Sequence, residues 1–213
     1  LLCAQTYGAV IKKKTLCPAE LSRTDIQEAR ANWDQIKAGV AHGRFVFIDE
    51  SGAKTNMTRL YGRAARGTRV YDHVPSGRWQ TTTMIAALAC DGPKAPWVLE
   101  GPLDGEAFVV WIEGVLVPTL KASDIVVMDN LSVHKNAQAR ALIEATGATV
   151  WDLPAYSPDL NPIEKMWSKI KAYLRKAKAR DPEALCTAIA HALEQISEQD
   201  IHNWFASCGY SLD

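Results

Sequence analysis

Residues 151–167 have the sequence WDLPAYSPDLNPIEKMW, which predicts the end of a strand, a polar turn and the start of a helix. Asn161 suits the N-cap of that helix, and Pro162 suits its first position. Glu164 then falls at the third helical position, so its carboxylate stands at the tip of the helix. The Asn-x-x-Glu spacing is also a capping-box pattern, in which the Glu only satisfies a backbone N–H. Taken alone, Glu164 favours that explanation.

Two other acidic residues end apolar runs elsewhere in the chain. Asp49 closes the run RFVFID at 44–49, and Asp129 closes the run DIVVMD at 124–129. Neither run has a helical period, as expected for strands that are covered on both faces. One acid at a strand end is often only a turn cap. Three carboxylates at element ends predict a metal site, and because the set contains no Cys or His, it favours Mg2+ or Mn2+ over zinc.

The composition limits which classes of protein this chain can belong to. With 213 residues, 47% hydrophobic and 23% charged, the chain can bury a full core as one large domain or one domain with an appendage. Lys+Arg and Asp+Glu balance at 24 each, so a nucleic-acid partner would have to meet a local basic patch. The five scattered cysteines contain no C-x-x-C pair, which favours a reducing compartment over disulfides or structural zinc. Without a membrane-spanning apolar stretch or a signal peptide, we expect a cytoplasmic protein with no membrane partner.

The periodicity predicts three strands, a helix, a strand, a helix, a strand and then helices. The predicted strands cover 44–49, 81–90, 97–101, 124–129 and 148–153, with a further short strand at 69–74, and the predicted helices cover 105–116, 135–147, 162–179, 182–196 and 197–205. This order is similar to that of ribonuclease H-like proteins, which implies an α/β fold with a mixed five-stranded sheet flanked by helices. The resemblance, rather than the periodicity, implies that the first and fourth strands are neighbours and bring Asp49 and Asp129 together.

Three motifs carry a more specific resemblance. They are FIDE at 47–50, VMDNLSVH at 127–134 and YSPDLNPIE at 156–164. Together they resemble the DDE transposases of the mariner superfamily, in its bacterial insertion-sequence branch. The separation 164 − 129 = 35 leaves 34 residues between the second and third acids, which is similar to the spacing of that group.

The resemblance implies that Asp49, Asp129 and Glu164 form a catalytic triad that binds two Mg2+ or Mn2+ ions for phosphodiester chemistry. It also implies cleavage of double-stranded DNA at transposon ends, joining to a TA target, a homodimer in the DNA complex and a place in the bacterial cytoplasm beside the nucleoid. Asn130 and His134 match motif positions without an assigned role. We expect Glu50 to face the other side of its strand from Asp49, and it is left out of the predicted site.

Basic side chains follow Glu164 along its predicted helix. Lys171, Arg175 and Lys178 lie at i+7, i+11 and i+14 from Glu164, and Lys165 is adjacent to it. We predict that they form a track for the DNA backbone, although a solvated charged face explains the stripe nearly as well. In the segment 51–77, Arg63 and Arg66 are further candidates for DNA contacts, with a solvated loop as an equal alternative.

Residues 1–43 differ from the remainder of the chain. A KKK run at 12–14 precedes one amphipathic helix, which carries Ile26, Trp33 and Ile36 at helical spacing. We interpret 1–43 as a linker arm at the end of a missing DNA-binding region, and 44–213 as the catalytic domain. Members of the resembled family carry an N-terminal helix-turn-helix region and this chain starts at Leu1, so we expect a catalytic fragment or a truncated copy.

Two alternatives to a transposase remain open. A nuclease of the same fold would hydrolyse DNA without joining it, and a product assay for joined DNA separates the two. A catalytically silent remnant would keep only DNA binding or dimerisation. The intact acidic trio argues against such a remnant.

Overall fold

A mixed sheet of five strands organises the chain, of which a computed structural model describes residues 18–212. The strands are β1 (Phe45–Lys54), β2 (Thr81–Ala89), β3 (Gly92–Glu100), β4 (Ile125–Met128) and β5 (Thr149–Asp152). Their order across the sheet is β3-β2-β1-β4-β5, with antiparallel pairing among β1, β2 and β3 and parallel pairing among β1, β4 and β5. The predicted mixed five-stranded sheet is confirmed.

Helices cover both faces of this sheet. They are α1 (Thr24–Ala38), α2 (Gly105–Trp111), α3 (Ala137–Glu144), α4 (Pro162–Ala177), α5 (Pro182–Glu194) and α6 (Glu198–Ser207). A first core contains residues of α1, α4, α5 and α6, and a second core contains residues of α2, α3 and a π-helical turn at Ile112–Leu116. Between residues 18 and 212, no helix is both long enough and apolar enough to cross a membrane.

The side chains of β1 alternate between the two cores. Phe45 and Phe47 belong to the first core, whereas Val46 and Ile48 belong to the second. Because both faces of the strand are covered, apolar residues are needed at every position. This explains why the sequence of β1 shows no alternation of polar and apolar residues.

The pairing of β1 with β4 sets the position of two acidic residues. Phe47 is opposite Val127 in parallel register, so the first and fourth strands are neighbours, as the resemblance implies. Continuing this register places Asp49 level with Asp129, just beyond the end of β4. The prediction that Asp49 ends its strand is wrong, because β1 keeps β2 as its hydrogen-bonding partner as far as Lys54.

Two other predictions differ from the structure. Residues 69–74 form no strand and lie in an exposed segment, where Val70 and Tyr71 are 53% and 80% exposed. β3 begins at Gly92 rather than Trp97 and contains two prolines. Because β3 is an edge strand, one of its sides needs no hydrogen-bonding partner and proline is tolerated there.

Helix α1 packs onto the same first core as the later helices. Its Trp33 is 2% exposed, and Arg30 donates hydrogen bonds to Ser157 and Asp159 in the turn before α4. The amphipathic helix expected in the arm is therefore present. The basic run at 12–14 lies outside the described residues, and the division of the chain at residue 43 stays a prediction.

Tyr210 joins three segments inside the first core. Its side chain is 1% exposed, Trp33 Nε1–H donates a hydrogen bond to its hydroxyl at 3.2 Å, and the hydroxyl donates to the carbonyl oxygen of Leu160 at 2.7 Å. Burial raises the pKa of Tyr210 above its ordinary value, so the hydroxyl keeps its proton. The hydroxyl thus ties α1 and the C-terminal residues to the turn that positions α4.

We expect Tyr210→Phe to lower the free energy of unfolding by about 1–3 kcal/mol, because it leaves the Leu160 carbonyl and the Trp33 N–H buried without their partner. Urea unfolding of the full chain measures this change. Tyr173→Phe is the matched control, since the half-buried Tyr173 hydroxyl makes no hydrogen bond within residues 18–212, and its effect should stay within about 0.5 kcal/mol. Equal losses in the two variants would contradict the role given to the Tyr210 hydroxyl.

Candidate active site

Asp49 lies in the middle of β1 with only 8% of its surface exposed. It shares the α4 side of the strand with Phe47, two residues earlier. Burial is the largest cause that raises the pKa of Asp49, followed by the negative charges of Glu164, Glu50 and Asp129, and together they bring it to about 8. The other three carboxylates therefore act on Asp49, which holds a proton at neutral pH unless a cation binds.

Asp129 follows β4 and accepts a hydrogen bond from His134. His134 Nδ1–H donates to Asp129 Oδ1 at 2.7 Å, and the backbone N–H of Leu131 donates to the same oxygen at 3.0 Å. The other ring nitrogen, Nε2–H, donates to Glu50 Oε2 at 3.1 Å. Burial acts to lower the pKa of His134, but the hydrogen bonds to the two carboxylates raise it to about 9. Burial likewise acts to raise the pKa of Asp129, and the hydrogen bond from His134 holds it below its ordinary value.

Glu164 is the third residue of α4, as predicted, and is exposed. Asn161 occupies the N-cap position, but its side chain makes no cap hydrogen bond, and its buried Oδ1 has no partner among residues 18–212. The backbone N–H of Asn161 donates to the carbonyl of Pro158 instead of to Glu164. The capping box is therefore not formed, and the Glu164 carboxylate is not used as a cap.

A cavity of about 450 Å³ lies between the end of β4 and the start of α4. Asp129 and Glu164 both line it, together with Asn161 and residues of the segment 153–158. Asn130 Nδ2–H donates to the carbonyl of Leu153 at 2.7 Å and so joins the residues that follow β4 to those that follow β5. The cavity provides room beside two of the three predicted acids.

The donor set has the chemistry that a hard divalent cation requires. It consists of carboxylate oxygens, and the pKa of Asp49 is raised first by burial and then by the negative charges of the neighbouring carboxylates. Asp49, Asp129 and Glu164 would hold such a cation through oxygen atoms alone. As the side chains stand, no group of three His, Cys, Asp or Glu residues between 18 and 212 could hold a metal ion, so binding requires the carboxylates to move closer together.

Three of the residues predicted to contact DNA lie at or near the C-terminal half of α4. Lys171 and Arg175 are half-buried on the helix, and Arg175 lines a surface cavity against the segment 59–61. Lys178 does not continue their stripe, because α4 ends at Ala177 and Lys178 adopts a left-handed conformation with φ of 55°. Its ammonium pairs with Asp72 at 2.6 Å. The prediction of one continuous basic stripe is wrong at Lys178.

The other three residues predicted to contact DNA are exposed. Lys165 lies beside Glu164 on the first turn of α4, whereas Arg63 and Arg66 lie in the segment between β1 and β2. None of the three side chains makes a hydrogen bond or an ion pair within residues 18–212, and the charge of Lys165 acts on Asp159. All three are free to meet an anionic partner, but the structure does not bring Arg63 and Arg66 into contact with the acidic residues.

Sequence reasoning missed the part that Glu50 takes in this site. Glu50 follows Asp49 in β1, on the side of the strand that faces the second core, and it reaches Asp129 through His134. Arg140 Nε–H donates to the carbonyl of His134, and its guanidinium pairs with Asp152, so the turn that carries His134 is anchored to β5. The available signal was His134 itself, which lies in the same motif as Asp129.

A family model and solved structures match this chain. The model of the DDE superfamily endonuclease family matches residues 44–186. The structure of the Mos1 mariner paired end complex with Mn aligns with a TM-score of 0.77 at 16% identity, over 94% of this chain and 64% of that one. The Mos1 transposase paired-end complex with left transposon end aligns with a TM-score of 0.74 at 15% identity, over 95% and 64%.

The catalytic domain of the Mos1 mariner transposase aligns with a TM-score of 0.61 at 13% identity, over 93% of this chain and 92% of that one. At such identities the likeness shows the fold, and the predicted ribonuclease H-like fold is confirmed. The chain spans 64% of the length of the Mos1 chains in the two paired-end complexes. A comparison with curated proteins finds no match.

The raised pKa of Asp49 makes the stability of the metal-free protein depend on pH. Between about pH 4, the ordinary pKa of an unfolded aspartate, and the folded pKa of about 8, the folded chain binds a proton that the unfolded chain has lost. The stability associated with this group is therefore complete below pH 4 and is lost as the pH rises to about 8.

We expect Asp49→Asn to be more stable than wild type in the presence of a chelator, and the difference to grow by up to about 4 kcal/mol between pH 5 and pH 8. Urea unfolding at several pH values measures this. Glu113→Gln, which removes an exposed carboxylate near α2, is the control and should follow the wild-type curve. Parallel curves for wild type and Asp49→Asn would show that the Asp49 carboxyl is not perturbed.

Proposed function

The chain belongs to the DDE superfamily of endonucleases, and we propose that it is the catalytic domain of a transposase, which cleaves DNA strands at transposon ends and transfers them to target DNA. The observation that carries the proposal is that Asp129 and Glu164 line one cavity while Asp49 lies level with Asp129 in the neighbouring strand. Burial and then the charges of Glu164, Glu50 and Asp129 raise the pKa of Asp49 to about 8. Carboxylates from β1, the end of β4 and the start of α4 converge there. Convergence of this kind opposes folding and is typical of sites that do chemistry.

Asp49, Asp129 and Glu164 are the proposed catalytic and metal-binding residues. Two bound Mg2+ or Mn2+ ions would supply stabilisation of the attacking and leaving oxygens in an in-line phosphoryl transfer. Asp49 would hold such a cation as the ionised carboxylate, because a positive charge would offset the burial and repulsion that raise its pKa. One oxygen of Asp129 accepts a hydrogen bond from His134. Glu164 lines the same cavity, and its carboxylate makes no hydrogen bond or ion pair within residues 18–212.

The sequence motifs support a finer version of this proposal. The chain is a member of the mariner superfamily in its bacterial insertion-sequence branch, joins strands at TA targets and acts as a homodimer on double-stranded transposon ends, in the cytoplasm beside the nucleoid. Residues 44–213 form the catalytic domain, and 1–43 form the arm that precedes it. The likeness to Mos1 paired end complexes with Mn and with Mg supports paired ends and a divalent metal.

We expect the full chain to bind Mn2+ in the presence of a short DNA duplex, and Asp129→Asn to weaken that binding at least about tenfold, because a charged ligand is lost. Isothermal titration calorimetry measures the affinity. Glu144→Gln makes the same change of charge at an exposed position at the end of α3 and should bind as wild type does. Equal weakening in both variants would indicate a general electrostatic effect and no site at Asp129.

DNA products separate the proposed function from its alternatives. The substrates are supercoiled plasmid, which reports strand cleavage, and a labelled oligonucleotide with a free 3′-hydroxyl, which reports joining to the plasmid. Joined product that disappears in Asp129→Asn supports the transposase. Cleavage without joining favours a hydrolytic nuclease of this fold. A wild-type chain that neither binds Mn2+ nor cleaves DNA contradicts the enzyme and favours the silent remnant.

Lys171 and Arg175 provide the clearest test of the proposed track for the DNA backbone, since Lys178 is already paired with Asp72. We expect Lys171→Gln with Arg175→Gln to reduce the slope of log affinity against log salt concentration by nearly 2, because each phosphate contact releases about one counterion. Fluorescence anisotropy with a duplex measures the slope. The control is the pair Lys94→Gln and Lys121→Gln beside Asp91, near the turn that joins β2 to β3 at the opposite end of β1. An unchanged slope in the first pair would remove the track from the proposal.

A further inference from the structure

Contacts hold the ring of His134 in one orientation. The residue is fully buried in the short turn Val133–Lys135, the ring centroid of Phe108 is 5.1 Å from its own, and Arg140 Nε–H donates to its carbonyl at 3.2 Å. Its Nδ1 is 2.7 Å from Asp129 Oδ1, and its Nε2 is 3.1 Å from Glu50 Oε2. The ring thus links a carboxylate of β1 to the carboxylate that follows β4.

The two partners of His134 differ in their surroundings. Asp129 lines the cavity that it shares with Glu164, and 39% of its side chain is exposed. Glu50 lies on the second-core side of β1, with 21% of its side chain exposed. His134 engages one oxygen of Asp129, so the second oxygen stays available to the cavity. A purely structural clamp between β1 and the turn is the alternative explanation of the same contacts.

We propose that His134, held in turn by Glu50, is a positioning residue for Asp129. The inference rests on the proposed function, because it takes Asp129 to be a metal ligand. The hydrogen bond from Nδ1–H selects one orientation of the Asp129 carboxylate before a metal binds. The conformational entropy of Asp129 is then lost on folding instead of on binding, which strengthens metal affinity.

Glu50 has a separate part in this arrangement. Its Oε2 is 3.1 Å from Nε2 of His134, so the ring is held at both of its nitrogens and resists rotation away from Asp129. Glu50 acts from the side of β1 that faces the second core, away from the cavity. It therefore fixes the ring that in turn fixes the Asp129 carboxylate.

Two substitutions of His134 separate positioning from packing. The amide nitrogen of an Asn side chain takes the place of Nδ1 beside Asp129, whereas that of Gln reaches the place of Nε2 beside Glu50. Calorimetric titration of Mn2+ into the full chain with a short duplex should show binding about 10–100-fold weaker in His134→Gln, as is usual when the hydrogen bond to a ligand is lost. His134→Asn keeps the hydrogen bond to Asp129 and loses the one to Glu50, so it should bind only about threefold more weakly than wild type.

A second readout follows from the same two variants. Cleavage of plasmid measured against Mn2+ concentration should show the same shift in half-saturating Mn2+ for His134→Gln, with the maximal rate recovered at saturating Mn2+. A packing defect would instead lower the maximal rate of both variants alike. His202→Gln, at an exposed position of α6, controls for the loss of an imidazole that binds Mn2+ elsewhere.

The outcomes distinguish this inference from the proposed function. Wild-type affinity in His134→Gln, or equal losses in the Asn and Gln variants, overturns the inference and leaves the proposed function standing. A wild-type chain that binds no Mn2+ overturns the proposed function and the inference with it. Because loss of a buried ring can prevent folding, Glu50→Ala is the second variant. It removes the anchor of His134 and leaves the ring itself in place, and it should weaken binding at least about threefold. An unchanged affinity contradicts the proposal.

Discussion

The parallel pairing of β1 with β4 is the constraint on which the acidic site depends. Its register brings Asp49 level with Asp129, although the two are 80 positions apart in sequence (129 − 49 = 80). β4 ends at Met128 whereas β1 continues to Lys54, so the Asp129 side chain reaches the cavity while Asp49 stays inside the sheet. This difference in strand length explains why Asp49 is buried, which raises its pKa, whereas Asp129 is partly exposed. Partial burial acts to raise the pKa of Asp129, but its hydrogen bonds from His134 and Leu131 lower that pKa.

The folded chain accommodates four neighbouring carboxylates in three different ways. Asp49 is neutral at pH 7 because burial and repulsion raise its pKa. Asp129 and Glu50 share the positive charge of His134, which lies between them. Glu164 is exposed on the first turn of α4, where its carboxylate is in contact with water. A cation at the cavity would allow Asp49 to ionise. It would leave His134 between Asp129 and Glu50 as it is.

Much of the fold could be predicted where local chemistry decides it. Pro162 located the start of α4 to the residue because proline suits only the first helical turn. The pairing of strands could not be predicted from the sequence of each strand. That β1 and β4 are neighbours was expected only because of the resemblance to ribonuclease H-like proteins. Side chains at helix ends were also beyond local rules. Asn161 makes no cap bond and Lys178 turns to Asp72, because tertiary neighbours, unlike sequence spacing, decide where such side chains point.

The adjacent acids Asp49 and Glu50 show how one strand can serve a site from both of its faces. Alternation in β1 directs Asp49 to the α4 side, where Glu164 acts on its pKa, and Glu50 to the side of α2 and α3, where it bonds to His134. The expectation that Glu50 faces away from Asp49 therefore gave no reason to exclude it from the site. Glu50 is connected to Asp129 through the buried ring of His134, just beyond the end of the shorter strand β4. No sequence pattern within β1 indicates this contact. A site at the end of a short strand can thus draw on both layers of the fold, and residues on the far face of its neighbour belong among the candidates.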